Sequence, residues 1–134
     1  GKGGIGKSVV SSNLAAVFAK KDHHPVLFGC SPKANVADVY GASGIEPPVP
    51  FLDVYRTEGV TKENITKTFI ETPSGVGIFE CGGPEPGIGC AGKGIGLALH
   101  DFHEHAQEIP ILKDADIFMY DVIGDVVCGG FAMP

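Results

Sequence analysis

The first eight residues, Gly1-Lys2-Gly3-Gly4-Ile5-Gly6-Lys7-Ser8, satisfy the spacing G-x-x-x-x-G-K-[ST]. Several backbone N–H groups must reach phosphate oxygens at once, and a Cβ on the loop would block that approach. A helix starting just after Gly6 adds its positive N-terminal end. Lys7 supplies a point charge for the β- and γ-phosphates, and Ser8 can place its hydroxyl on Mg²⁺. Gly1, Lys2, Gly3, Gly4, Ile5, Gly6, Lys7 and Ser8 are therefore the candidate nucleotide-binding residues. Lys2 is a second cation inside the glycine run. It is either a solvated lysine or a side chain that crosses a two-fold interface to a partner's nucleotide.

The rest of the chain alternates helix and strand signals. Val10, Leu14 and Val17 recur on one helical face, predicting a helix to about Lys20. Buried strands are expected in "HHPVLFGC", "GVGIFE" and "ADIFMYDV", and short helices over Phe51–Thr57, Lys62–Phe69 and 95–109, with a helical turn near Val36–Tyr40. This order predicts an α/β fold of the P-loop NTPase type, a mostly parallel sheet flanked by helices. The phosphate-loop pattern ordinarily follows a buried strand, and the C-terminus stops directly after another motif. The 134 residues are thus expected to be one partial domain, an internal fragment truncated at both ends of its sheet.

Composition narrows the function classes. Hydrophobic residues make up 43%, enough for a core, and the formal net charge of −6 argues against a nucleic-acid surface. No stretch is apolar for long enough to span a membrane and none looks like a secretory signal, and the protein is expected to be cytoplasmic. Gly counts 20, about twice the usual share, and clusters in loops. Asp121 closes an apolar strand run, where a carboxylate can hold the Mg²⁺ shell. Asp125 can orient a water or simply serve a turn. Cysteines stand at 30, 81, 90 and 128, without a C-x-x-C pair. They fall at strand ends or in the glycine-proline loop, the ligand edge of an open α/β sheet. A [4Fe–4S] cluster needs four thiolates, which one chain can supply alone or two chains can supply in pairs about a symmetry axis. His23, His24, His100, His103 and His105 are expected on the surface, with His100 and His103 a weak metal pair.

"GKGGIGKS", "GCSPKA", "GGPEPGIGCAGKG" and "YDVIGDVVCGGFAMP" resemble the nitrogenase iron protein family along the whole chain, covering roughly the first half of the family's usual length. The resemblance implies a homodimer that hydrolyses MgATP while passing electrons singly to a larger nitrogenase-like catalytic component, with a ferredoxin or flavodoxin as donor. It implies one [4Fe–4S] cluster per dimer, held by Cys90 and Cys128 of each chain, with Cys30 and Cys81 as buried thiols outside the ligand set. Lys2, Lys7 and Asp125 become the catalytic candidates, and Ser8 with Asp121 the magnesium side. By resemblance, residues 31–35 are a first switch and residues 121–128 a second, joining nucleotide to cluster.

Departures from the family pattern bear on the reaction. The first switch ordinarily reads D-P-K-A-D, whereas here it is Ser31-Pro32-Lys33-Ala34-Asn35, so both carboxylates are gone and hydrolysis is expected to be slow or to fall to Asp125. Val9 replaces a Thr. Lys93 replaces the docking Arg and loses its planar fork, so Arg-specific modification is not expected. Rival readings are a tetrapyrrole reductase component on the same machinery, a partitioning-type P-loop ATPase without redox chemistry, and a carrier that donates its cluster.

Overall fold

The computed structural model describes residues 4–31, 33–83, 96, 98, 100, 101 and 103–122, with backbone alone at 41–43 and 106. Helix α1 (Lys7–Ala19) leads into strand β1 (Pro25–Cys30), a 3₁₀ helix over Ala37–Ser43, helices α2 (Phe51–Thr57) and α3 (Lys62–Thr66), and strands β2 (Phe69–Glu71) and β3 (Gly77–Glu80). Residues 96, 98, 100, 101 and 103–105 are helical. A 3₁₀ turn at Ala106–Glu108, helix α4 (Pro110–Lys113) and strand β4 (Ile117–Val122) complete the described chain. The sheet order is β2-β3-β1-β4; β1 runs parallel to β3 and β4, while β2 pairs antiparallel with β3.

Every residue of β1 is buried, as a central parallel strand covered on both faces requires. Side chains alternate across the sheet. Val26, Phe28 and Cys30 share one core with Phe79, Cys81, Phe51 and Leu52 of α2, Ile65 of α3, and Leu112 of α4. Leu27 and Ile78 point the other way, into a core with Ala15 of α1, Val36, Ala37 and Val76. Phe28 is the hub of the first core, its ring centroid 5.1 Å from those of Phe79 and Tyr120 and 6.2 Å from those of Phe69 and Phe118.

Two local expectations change. The apolar stripe of α1 is not its packed face: Val10, Leu14 and Val17 are 66%, 44% and 46% exposed, while Ser12 and Ala15 are 1% and 0%. The helix meets β1 and β4 through small residues, which permit close approach. The expected Lys62–Phe69 helix stops at Thr66, after Thr61 caps its start by accepting the Asn64 N–H at 3.2 Å. Phe69 then begins β2, because Phe69 and Ile70 pair with Phe79 and Ile78 and a turn closed by the Val76 N–H on Thr72 Oγ1 (3.0 Å) returns the chain. Helix α4, with Pro110 at its first turn, was not marked by periodicity.

Phe28→Ala empties the centre of this aromatic group. Its expected cost is about 3–5 kcal/mol, read as a lower urea midpoint at unchanged slope.

Candidate functional site

The loop ahead of α1 has the backbone that its glycines allow. Gly4 (φ 75°) and Gly6 (φ 88°) are both left-handed, and among the described residues beyond their chain neighbours no heavy atom lies within 4 Å of where a Cβ would stand on either. Gly6 is the N-cap, its carbonyl accepting the Val10 N–H at 2.9 Å, with no side-chain cap. The first N–H groups of a helix have no partner within it, and here no acidic side chain in the first turn neutralises them. Gly6 and Lys7 line an open depression of about 500 Å³ whose far wall is Tyr120, Asp121 and Val122 of β4. The cation of the loop and the strand-end carboxylate thus face one space.

Asp121 has a buried neighbourhood of its own. It pairs across the ladder with Gly29 of β1, and Gly29 pairs on its other side with Glu80 of β3. By alternation all three belong to the α1 face of the sheet. Glu80 is fully buried, its Oε1 accepts the Ala37 N–H at 3.0 Å, and Oε2 has no hydrogen-bond partner among the described residues. Burial pushes Glu80 up from 4.5 to about 7, against the lowering effect of the Ala37 and Val36 N–H groups and with help from the charges of Asp38 and Asp121. Sequence reading did not single out Glu80; the only signal was an acid closing the apolar run "GVGIFE".

The segment after β1 is a tight turn. The Lys33 N–H donates to Ser31 Oγ (3.3 Å), the Ala34 N–H to Ser31 O (3.1 Å), and Ala34 sits at φ 46°. Ser31, standing where a carboxylate was expected, uses its hydroxyl to shape this turn.

Cys30 and Cys81 lie on the opposite face. The Cys81 N–H donates to Gly29 O at 2.9 Å, continuing the β1–β3 ladder and setting the two cysteines side by side. Burial, reinforced by Asp121 and Glu80, pushes the Cys30 thiol up to about 12. Burial raises Cys81 further, with Cys30 and Glu80 adding to it. Both are free thiols. Both sulfurs pack as small apolar groups against Phe51, Leu52 and Phe79.

Comparison with known proteins identifies the family. The family model described as "4Fe-4S iron sulfur cluster binding proteins, NifH/frxC family" matches residues 1–134. The chain belongs to that family. It is 42% identical over 134 residues to the nitrogenase iron protein of Methanospirillum hungatei, covering 100% of this chain and 45% of that protein. It is 40% identical over 136 residues to nitrogenase iron protein 2 of Methanothermobacter thermautotrophicus, covering 100% and 47%. Against nitrogenase iron protein 3 of Clostridium pasteurianum it is 41% identical over 138 residues, covering 100% and 47%. The chain spans about half the length of the curated relatives it matches.

Of the site residues expected in this NifH/frxC chain, Gly4, Ile5, Gly6, Lys7, Ser8 and Asp121 are described. Gly1, Lys2, Gly3, Cys90, Asp125 and Cys128 lie outside the described residues, as does Lys93. His23 is exposed and meets Asp116 at 2.8 Å. That contact, with the His24 N–H on the other oxygen, holds the Asp116 carboxyl below its usual range. His100, Asp101 and Glu104 bring one possible ligand atom each within 4.8 Å on the surface, a group that does not include His103.

Glu80 makes stability pH-dependent. Its folded pKa is raised, so its contribution is complete below pH 4.5 and is lost as pH rises to about 7. Glu80→Gln removes that slope. Between those limits the wild type is expected to lose up to about 3 kcal/mol relative to the variant, measured by urea unfolding without nucleotide.

Proposed function

We propose that the complete protein is an ATP-dependent electron-transfer protein of the nitrogenase iron protein type. In this reading residues 1–134 are a single P-loop domain segment, roughly the N-terminal half of the family domain, in a cytoplasmic homodimer. Its partner is a nitrogenase-type catalytic component, and its electron donor a ferredoxin or flavodoxin. One observation carries the reading: in a chain matched along its whole length by an iron–sulfur family, Lys7 and Asp121 line the same depression beside an uncapped helix N-terminus. No described helix is long and apolar enough to cross a membrane.

The residues divide the work by chemistry. Gly4, Gly6 and the first N–H groups of α1 suit the phosphate oxygens, with Gly1, Gly3 and Ile5 completing the loop. Lys7 offsets charge on the β- and γ-phosphates, Ser8 supplies a magnesium ligand, and Asp121 holds the hydrated shell. Lys2 reaches across the dimer toward the partner's nucleotide. Asp125 orients the attacking water, since Ser31 and Asn35 offer no carboxylate, and hydrolysis is correspondingly slow. Cys90 and Cys128 hold half of a [4Fe–4S] cluster, which when bound supplies one-electron redox chemistry. The burial of Cys30 and Cys81 within the aromatic core supports assigning the cluster to Cys90 and Cys128.

Two measurements on anaerobically purified protein test this. Lys7→Ala is expected to weaken MgATP binding by about a hundredfold or more, because a charge-assisted phosphate contact is lost; unchanged affinity removes the phosphate loop from the account. Cys90→Ser and Cys128→Ser are expected to lose the cluster's iron and visible absorbance, and Cys30→Ser and Cys81→Ser to keep both. Retention in Cys128→Ser would require another ligand set.

A further inference from the structure

Glu80 is, among the described residues, a buried carboxyl that the nucleotide and cluster assignments leave unused. A carboxyl with no exposure is costly unless bonds hold it, and an apolar residue would fill the same volume more cheaply. The surroundings are nonetheless arranged to keep it. Gly29 gives it room, for a Cβ there would overlap Oε2 and stand 3.1 Å from Val36 Cγ2. Ala37 opens the 3₁₀ helix directly after the Ser31–Asn35 turn, and its N–H is donated to Oε1 at 3.0 Å. Across Gly29, in the same row on the same face, stands Asp121. Oε2, without a hydrogen-bond partner among the described residues, lies over Gly29.

We propose that Glu80 is a positioning residue of the nucleotide site: through the Ala37 N–H it holds the segment following Ser31–Asn35 in register with Asp121. This rests on the reading of the phosphate loop as an MgATP site. A nucleotide that engages Asp121 then meets a segment already fixed to the same row of the sheet, and ordering of one is felt by the other. The requirement is for an acceptor at that place, not for a negative charge, so glutamine serves as well as glutamate.

Backbone amide exchange over residues 33–40, with and without MgATP, tests the proposal on anaerobic holoprotein. Wild type and Glu80→Gln are expected to show exchange slowed about tenfold by MgATP, with affinities within about threefold of each other. Glu80→Leu removes the acceptor. Ala37→Pro removes the donor at a first-turn position that tolerates proline. Each is expected to lose the slowing while keeping its cluster absorbance, and the double variant to do no worse than either. If Glu80→Leu does not fold, Ala37→Pro decides. Slowing retained in the folded acceptor or donor variant overturns the proposal, as does its loss in Glu80→Gln, which would assign the role to charge. A wild type that binds no MgATP overturns the nucleotide reading and this proposal together; a wild type that responds beside a Glu80→Leu that responds equally overturns Glu80 alone.

Discussion

Strand β1 is buried on both sides, and the strict alternation of its side chains governs the rest of the molecule. Val26, Phe28 and Cys30 look one way and Leu27 and Gly29 the other. A residue that moved by one place would carry a thiol into the nucleotide face or an aromatic ring into the space that Glu80 occupies. The separation of chemistry follows from that alternation. Aromatic and sulfur groups form a dry layer under α2, α3 and α4, while the carboxyls of Glu80 and Asp121 gather under α1 with a glycine between them.

The same layering explains why four cysteines need not mean four equivalent ligands. Ionisation is opposed at both Cys30 and Cys81, first by lost hydration, then by Asp121 and Glu80 at Cys30 and by Cys30 and Glu80 at Cys81. Their packing against Phe51, Leu52 and Phe79 is that of small apolar residues. The medium around Cys30 and Cys81 thus sets both apart as buried, apolar-packed thiols.

Local spacing made some features legible and left others out of reach. The phosphate loop is a contiguous pattern whose glycines must take left-handed backbone, and Gly4 and Gly6 do. Asp121 was marked as a candidate because it closes an apolar run, and β1 was legible because its stretch is short and wholly apolar. Glu80 was not, since its role arises from register with Gly29 and Asp121 on two other strands, a relation no window of sequence contains. Strand β2 escaped for a related reason: Thr68, Phe69 and Ile70 favour extended backbone, but three residues are too few to read as a strand until they pair with β3. Periodicity in α1 found an apolar stripe correctly but could not say which face the sheet would take. The helix turned its small side inward.

That inversion has a mechanical consequence. With Ser12 at 1% and Ala15 at 0% exposure, the helix approaches the strands through small side chains at these two places. An enlargement at either place has to be taken up by a displacement of the helix, and Gly6 and Lys7 stand at the end that such a displacement would carry with it.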